Sequence, residues 1–358
     1  MSYTIPIGPY HLALEEPYKI EVHCEGETVT GADLKVGFNF RGIEWLAERK
    51  NLTQSIALME RVCGICSNVH SMTFCLALER IGRIEVPARA QYIRVVMAEL
   101  ERIHSHLLWA GVAAELTGFH TLFMTCFNLR EDVMDLLEAI SGNRVNYSMN
   151  RIGGVNRDIL CPDDIRAGIR TIRGELERSL IPIFTQDRIL AARCAGVGVL
   201  AREDALAWGA VGPLARASGV DQDLRRDAPY LVYGELDFQV PVRAEGDVFA
   251  RVVVRALELL ESCRLVEQAL DRMPAGPLHG PDHYFVTPGE TTMRIEAPRG
   301  EVFYFVATDG TDRPRRVKVR TPTFANIPTV LPMVRHAALA DVPLIQASID
   351  PCYSCTDR

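Results

Sequence analysis

Two pairs of cysteines carry the clearest chemistry in this 358-residue sequence. Cys63 and Cys66 lie in the segment ERVCGICSNVH, and Cys352 and Cys355 lie in the segment DPCYSCTDR. Two residues between the thiols of a pair allow both sulfur atoms to face one ion, and Gly64 lets the first turn bend without a Cβ clash. Four thiolates together form a soft, anionic site that suits zinc, nickel or an iron–sulfur cluster better than magnesium or calcium.

The separation of the two pairs along the chain narrows these choices without deciding among them. Structural zinc sites usually place their pairs about 15 to 20 residues apart, whereas almost the whole chain separates Cys66 from Cys352. A small local zinc module is therefore disfavoured, because the site must join the two ends of the fold. A structural zinc ion, an iron–sulfur cluster, a redox-active thiol pair and a catalytic metal all stay open at this point.

The remaining composition excludes several classes of protein. A net charge of −7 gives no basic face for nucleic acid. No apolar run reaches the roughly 18 to 20 residues that a membrane span needs, and the first residues lack the pattern of a signal peptide. We therefore expect an intracellular or membrane-peripheral chain with reduced thiols. The isolated cysteines are expected to be small buried apolar side chains, and they are Cys24, Cys75, Cys126, Cys161, Cys194 and Cys263.

The elements that must bring the two cysteine pairs together are mainly helical. The sequence predicts a β-hairpin over residues 18–40, a helical core over 51–272, a β-meander over 284–320 and a metal-binding tail over 345–358. The alternation of polar and apolar residues defines the two β regions, and turn-forming residues interrupt them. We expect one domain, mainly α with small antiparallel β regions at both ends.

Two segments of the helical core stand out. A long amphipathic run predicts a helix from Pro87 to Leu116, since it opens on a proline and stops before Gly118. The segment 142–158, GNRVNYSMNRIGGVNRD, is rich in Gly and Asn, which predicts a loop with positive-φ positions that packs on the rest of the protein.

At this point the residues resemble a known family. RVCGIC followed by His70, together with DPCYSC near the end of the sequence, is similar to the two signature segments of nickel–iron hydrogenase large subunits. FRGIE at 40–44 and EAPRGE at 296–301 extend the resemblance in the same order. The GPYHLALEE opening resembles the energy-converting group, which includes Ech-type and carbon monoxide-induced hydrogenases and is related to the 49-kDa quinone-site subunit of complex I. That resemblance implies the same helical core.

The resemblance implies a nickel–iron centre. All four thiolates would bind nickel, and Cys66 and Cys355 would also bridge to an iron that carries carbonyl and cyanide ligands. Cys63 and Cys352 would be terminal on nickel. One thiolate, Cys355 or Cys352, would take the proton when hydrogen is split.

The same resemblance implies roles for four further residues. Glu21 would relay protons between a cysteine sulfur and the surface, for which a buried carboxyl is suited. His70 would hydrogen-bond a bridging sulfur. Arg299 would stand over the nickel, where a fixed guanidinium stabilises charge. Asp350 would support the second cysteine pair. Without the family resemblance, the local sequence predicts only an ordinary strand, core or turn residue at each of these four positions.

The sequence departs from the uptake-type members at two places. Those members carry His-Asp-His on the long helix, whereas this chain has His104, Ser105 and His106, so a carboxylate near the metal is missing. They also have a histidine where this chain has Arg358, a cation that cannot ligate a metal. We therefore expect an ion pair of Arg358 with Glu44 in place of a magnesium or iron ion near Glu44.

The resemblance also implies partners and a location. The sequence has no run of closely spaced cysteines for an iron–sulfur cluster, so a proximal [4Fe-4S] cluster is expected on a partner small subunit. Ferredoxin-type subunits, ferredoxin as the electron carrier and integral membrane subunits that move ions are expected as further partners, at the cytoplasmic side of the cell membrane. The alternatives are a complex I-like coupling subunit without hydrogenase activity, whose family relatives lack the four cysteines, and a structural metal protein.

Overall fold

A computed structural model describes residues 2–11, 14, 16–281, 284 and 286–358. Residues 12, 13 and 15 of the GPYHLALEE segment, and residue 285 at the start of the predicted meander, lie outside the described residues. The strands form small antiparallel sheets. They are β1 (Ser2–Ile7), β2 (Lys19–Glu25), β3 (Thr28–Lys35), β4 (Asn150–Arg151), β5 (Gly154–Val155), β6 (Gly289–Ala297), β7 (Gly300–Thr308) and β8 (Pro314–Arg320).

Helices form most of the rest of the described chain. They are α1 (Ile43–Ala47), α2 (Leu52–Glu60), α3 (Ser67–Gly82), α4 (Ala88–Leu116), α5 (His120–Ser141), α6 (Pro162–Glu175), α7 (Ile181–Gln186), α8 (Arg188–Cys194), α9 (Arg202–Ala207), α10 (Gly212–Ala217), α11 (Leu224–Asp227), α12 (Val248–Arg272), α13 (Pro322–Asn326), α14 (Val330–Val334), α15 (Val342–Ser348) and α16 (Tyr353–Asp357). The predicted fold class, mainly α with small antiparallel sheets, is confirmed.

Helix α4 is the central element of the helical core. It packs against α5 and α12, and its side chains are buried on almost every side. The prediction of a helix from Pro87 to Leu116 is confirmed, because Pro87 lies at its N-cap position and the helix ends at Leu116. Helix α3 lies across α4 and against strands β6 and β7, so the helical core holds the first cysteine pair beside the C-terminal sheet.

The two terminal sheets differ in their surroundings. In the first, β2 pairs with β3 across the turn at Gly26, and β1 adds a strand on the other edge of β2. The buried face of this sheet shares a hydrophobic cluster with residues of α9, α10, α14 and α15. In the second, β7 lies between β6 and β8 and packs on α3. Within the described ranges no helix combines the length and the apolar character needed to cross a lipid bilayer.

Candidate metal centre

The two cysteine pairs meet in the interior of the protein. Cys63 and Cys66 lie between α2 and α3, whereas Cys352 and Cys355 lie at the start of α16, and all four are buried. The Sγ atoms of Cys63 and Cys352 are 3.5 Å apart, and those of Cys66 and Cys355 are 3.6 Å apart. These separations are far beyond a disulfide bond of about 2.05 Å and suit sulfur atoms that surround one metal. The donor set therefore fits a soft metal ion.

Backbone N–H groups converge on the first sulfur of each pair. Cys63 Sγ accepts hydrogen bonds from the N–H groups of Ile65 and Cys66 at 3.2 and 3.4 Å, and Cys352 Sγ accepts one from Cys355 at 3.4 Å. Because each pair starts a helix, these N–H groups have no partner within the helix and are free to face a thiolate. The turns thus favour the charged form that binds metal.

Ionisation of one thiol affects ionisation of the other three. Hydrogen bonds from the other three thiols lower the pKa of Cys63 well below its ordinary value. The negative charge on Cys63 then disfavours ionisation of the neighbouring thiols. The pKa of Cys355 is raised by its hydrogen bonds to Cys352 and Cys63 and by burial. A bound cation would displace these protons, because metal ligands must be deprotonated.

His70 lies at the position expected from the sequence. It is fully buried on α3, and its Nε2 atom is 3.5 Å from Cys355 Sγ. Its Nδ1 atom is 2.8 Å from the hydroxyl oxygen of Tyr304 on β7. Burial lowers the pKa of His70 to about 4, so the imidazole is neutral at physiological pH.

Arg299 and Asp350 form a buried ion pair beside the thiols. Arg299 Nη2 lies 2.8 Å from Asp350 Oδ1, and Arg299 Nε donates to the Asp350 carbonyl oxygen at 3.0 Å. Burial opposes the charge of Arg299, but Asp350 and the nearby thiols outweigh it and raise the pKa of this guanidinium. Arg299 is thus a fixed cation that acts electrostatically on the thiol cluster.

Unusual backbone positions hold this ion pair in place. Asp350 has φ of 57°, a left-handed conformation that is uncommon for a residue with a side chain. Gly300, next to Arg299, has φ of 124°, and a Cβ atom there would lie 2.9 Å from Gly212 Cα. Glycine is therefore required where the β6–β7 turn meets the start of α10, and this close approach positions Arg299.

The structure does not bring Glu21 to the thiols. Glu21 lies on β2, its side chain is 29% exposed, and it pairs with Lys19 at 2.5 Å. Hydrogen bonding to Lys19 lowers the pKa of Glu21, the opposite of what a proton relay needs. The placement of a relay at Glu21 is therefore corrected, because strand alternation directs this side chain toward Lys19 rather than the metal centre.

Glu16 lies where Glu21 was expected. Glu16 Oε1 is 3.8 Å from Cys352 Sγ, and Glu16 Oε2 accepts hydrogen bonds from the N–H groups of Tyr353 and Ser354, the latter at 2.8 Å. Burial raises the pKa of Glu16 in spite of these bonds. The only signal in the sequence was the acidic pair before Pro17, and it lacked any pattern that could single out Glu16.

Other residues also border the site without having been predicted. Glu101 on α4 accepts hydrogen bonds from the N–H groups of Asn68 and Val69 at 2.7 and 3.1 Å, and burial raises its pKa well above the ordinary value. Ser105 Oγ accepts a hydrogen bond from Arg299 Nη1 at 3.4 Å. Period-two alternation could predict that Tyr304 faces the core, but not the partner of its hydroxyl group.

The expected ion pair between Arg358 and Glu44 is present. Arg358 Nε donates to Glu44 Oε1 at 2.8 Å, and Lys318 Nζ lies 2.7 Å from Glu44 Oε2. Burial alone would raise the pKa of Glu44, but Lys318 and Arg358 lower it. His104 and His106 flank the serine that replaces the aspartate of the uptake-type members, and they have different partners. His104 Nε2 lies 2.9 Å from the Ile65 carbonyl oxygen, and His106 Nε2 lies 2.8 Å from Glu258 Oε2.

The six isolated cysteines lie outside the thiol cluster. Each is free, and all are buried except the partly exposed Cys161. Burial raises the pKa of Cys126 to about 12 and that of Cys194 to about 11. Cys126 and Cys194 are therefore protonated, and the prediction of buried thiols is confirmed for every isolated cysteine except Cys161.

Comparison with known proteins places the chain beside two protein families. The family described as the 49 Kd subunit of respiratory-chain NADH dehydrogenase matches residues 117–288 and 280–358. The family described as nickel-dependent hydrogenase matches residues 41–110, which contain the first cysteine pair. The two matches together span nearly all of the chain after β3.

Similar individual proteins cover the chain from end to end. The chain is 42% identical to the carbon monoxide-induced hydrogenase of Rhodospirillum rubrum, over 100% of this chain and 99% of that protein. It is 44% identical to the membrane-bound hydrogenase subunit alpha of Pyrococcus furiosus, over 99% of this chain and 87% of that protein. A chain of the archaeal membrane-bound sulfane sulfur reductase has the same fold, with a TM-score of 0.95, 35% identity and coverage of 100% and 98%.

Proposed function

Because the chain belongs to the family of energy-converting nickel–iron hydrogenase large subunits, which is related to the 49-kDa subunit of respiratory NADH dehydrogenase, we propose that it is the catalytic subunit of a membrane-associated hydrogenase. The reaction is the reversible conversion of protons and electrons into molecular hydrogen. The observation that carries the proposal is the meeting of two distant CxxC pairs as four buried, closely spaced thiols.

The four cysteines would hold a nickel–iron centre whose iron carries carbonyl and cyanide ligands. Such a centre supplies an electron-rich metal site at which hydrogen can be split or formed. Cys63 and Cys352, whose sulfur atoms lie together, would be the terminal ligands of nickel, and Cys66 and Cys355, whose sulfur atoms also lie together, would be the bridging ligands. Arg299 places a positive charge beside the thiols, where it stabilises negative charge during turnover.

Proton transfer would proceed through Cys352 and Glu16. The sequence left open whether Cys352 or Cys355 takes the proton, and the contact of Glu16 with Cys352 Sγ at 3.8 Å favours Cys352. His70 occupies the corresponding position beside Cys355 but is neutral and enclosed, so it holds that sulfur in place. Glu16 also lines a small cleft with Tyr18 and Gln346, and we propose that protons move between the metal centre and solvent along it.

Electrons would arrive from an iron–sulfur cluster on a small subunit. The segment after β3 exposes Phe38 and Phe40, the latter by 72%, and Trp45 is exposed by 57%. This segment lies beside the second cysteine pair, because Asp357 accepts hydrogen bonds from the N–H groups of Gly37 and Asn39. An exposed aromatic surface so close to the metal ligands suits the docking of the small subunit that carries the proximal [4Fe-4S] cluster.

The wider partners follow from the relatives. A membrane-bound hydrogenase and an archaeal respiratory membrane complex contain similar chains. We propose that this chain is a peripheral subunit at the cytoplasmic side of the membrane, with ferredoxin-type subunits, ferredoxin as electron carrier and integral subunits that translocate ions.

Infrared spectroscopy and metal analysis of the purified complex test this function. Stretching bands of carbonyl and cyanide, with stoichiometric nickel and hydrogen evolution from reduced ferredoxin, are the expected result. A complex without nickel that reduces quinone would instead identify a coupling subunit of the kind to which the 49 Kd family match points. Zinc without diatomic bands would identify a structural metal site.

A further inference from the structure

The hydrogen bonds behind Cys355 continue past His70 to Tyr304. His70 Nε2 lies 3.5 Å from Cys355 Sγ, and His70 Nδ1 lies 2.8 Å from the Tyr304 hydroxyl oxygen. On its other side, that hydroxyl is 3.6 Å from the thioether sulfur of Met59. Met59, His70 and Tyr304 each expose 0% of their surface, so water does not compete for these contacts.

The donor and the acceptor in the Cys355–His70 and His70–Tyr304 hydrogen bonds follow from the chemistry of these groups. A metal-bound Cys355 is a thiolate, which accepts hydrogen bonds and donates none, so His70 must carry a proton on Nε2. Among the described residues no carboxylate hydrogen-bonds to His70, and a buried imidazole without such a partner is neutral. Nδ1 then has no proton, and a contact of 2.8 Å requires that the Tyr304 hydroxyl donates to it.

The chain of contacts cannot carry a proton onward. The thioether of Met59 has no proton to give and is only a weak acceptor. Burial also raises the pKa of Tyr304 well above its ordinary value, so the hydroxyl keeps its proton. Tyr304 therefore does not pass protons from His70 to Met59. The contacts instead support a role for Tyr304 in orienting His70.

We propose that Tyr304 is a positioning residue that holds His70 in the Nε2-protonated tautomer, with its N–H directed at the sulfur of Cys355. This inference rests on the proposed function, because it requires a metal-bound Cys355. A hydrogen bond to a metal-bound sulfur withdraws electron density from that sulfur and so tunes the metal. Tyr304 would thereby set the electronic state of the centre through His70.

The test is infrared spectroscopy of the purified complex with Tyr304→Phe. Loss of the donor leaves His70 free to adopt the other tautomer, so the Cys355 sulfur becomes more electron-rich and the carbonyl band of the iron shifts to lower wavenumber. Tyr230→Phe is the matched control, because it also removes a buried hydroxyl, one that accepts a hydrogen bond from Glu296 N–H at 3.2 Å. The control should retain the wild-type band.

A double-mutant cycle separates positioning from general packing. If Tyr304 acts through His70, Tyr304→Phe adds no further shift in a His70→Gln background. Additive shifts would overturn the proposal, as would a wild-type carbonyl band in Tyr304→Phe. Absence of diatomic bands in the wild-type complex would instead refute the proposed function, so the two failures are distinguishable.

Met59→Leu gives a second test that leaves the hydroxyl in place. Leucine keeps the volume of methionine but removes the competing sulfur acceptor. Because Tyr304 is assigned as the donor to His70 rather than to Met59, the carbonyl band should not move. A shift as large as that caused by His70→Gln would overturn the assigned direction.

Discussion

A carboxyl group that passes protons must touch the proton donor and must hold a pKa near the working pH. Glu16 meets the first condition by its contact with Cys352 Sγ at 3.8 Å. Burial raises the pKa of Glu16, while hydrogen bonds from Ser354 and Tyr353 limit that rise. A raised pKa favours proton uptake by this carboxyl.

Replacing Glu16 tests this assignment. Glu16→Gln keeps the hydrogen-bond acceptor but cannot carry the proton, so hydrogen production should fall by roughly a hundredfold while nickel content is unchanged. Glu21→Gln is the control, since Glu21 pairs with Lys19 at the surface and should leave turnover near the wild-type rate. Equal losses in both variants, measured as hydrogen evolved per nickel, would contradict the role of Glu16.

Metal analysis of cysteine variants distinguishes the four thiols of the metal centre from the isolated thiols. Cys66→Ser removes a soft donor from the centre and should abolish nickel retention. Cys75→Ser removes a buried thiol of the same helix region that contacts apolar core residues instead, and it should keep its nickel. Nickel bound at wild-type level in Cys66→Ser would exclude Cys66 as a ligand.

Helix α3 is tied to α4 at both of its ends. At its start, Glu101 of α4 accepts hydrogen bonds from the first N–H groups of α3. Toward its other end, Arg94 of α4 forms two hydrogen bonds with the carboxylate of Glu79, at 2.7 and 2.9 Å. Arg94 also donates to the carbonyl oxygens of Arg151 and Gly154, which packs the predicted loop 142–158 onto both helices.

Breaking the pair of Arg94 and Glu79 should destabilise the fold. Arg94→Met leaves the Glu79 carboxylate buried without its partner, which costs about 3–5 kcal/mol. Arg144→Met is the control, because Arg144 pairs with the exposed Glu131 and Asp135 and its loss should change stability by less than about 1 kcal/mol. Urea unfolding followed by circular dichroism measures both, and equal effects would contradict the importance of burial.

Arg358 joins the second cysteine pair to residues 41–44, which precede the first pair. The Arg358 carbonyl oxygen accepts hydrogen bonds from the N–H groups of Arg41, Gly42 and Ile43, and the Arg358 side chain pairs with Glu44. These contacts hold α16, and with it the second cysteine pair, against the first. The contacts that complete the metal centre therefore also join two segments that are distant in the sequence.

The pair of Arg358 and Glu44 makes a prediction about a second metal. Because two cations already neutralise Glu44, anomalous diffraction from crystals of the complex should show no metal ion on its carboxylate. Arg358→Ala should lower stability by only about 1 kcal/mol, since the pair is partly exposed. An ion bound to Glu44 in the wild-type protein would contradict the replacement of the ion by arginine.

Acid stability depends on the buried carboxylates that join the helices to the C-terminal sheet. Burial alone would raise the pKa of Asp223, but the guanidinium groups of Arg225 and Arg216 lower it to about 2, from 3.8. A lowered pKa stabilises the fold above pH 3.8, and this stabilisation is lost as the pH falls toward 2. The contribution is roughly 2 kcal/mol.

Asp223→Asn tests this linkage. At neutral pH the variant should be less stable, because Arg225 loses one of its two carboxylate partners and keeps only Glu99. Between pH 4 and about 2 its unfolding free energy should fall less steeply than that of the wild type. Asp164→Asn, at an exposed position on α6, should keep the wild-type slope. A wild-type slope in Asp223→Asn would refute the assignment.

The sequence alone indicated a soft-metal site and predicted the class of the fold. Two CxxC pairs specify a soft metal site because spacing and donor type are local properties. The long helix from Pro87 to Leu116 followed from its period and its proline. The motifs around His70, Arg299 and Asp350 identified groups that lie beside the thiols.

Which further side chains reach the metal centre depends on tertiary packing. Glu16 and Glu21 are both acidic residues near the first sheet, and no local pattern tells which one faces Cys352. Tyr304 lies on a strand far along the chain from His70, and their contact exists because α3 packs against β7. Long-range packing sets such contacts, since it depends on how whole elements dock rather than on the residues next in sequence.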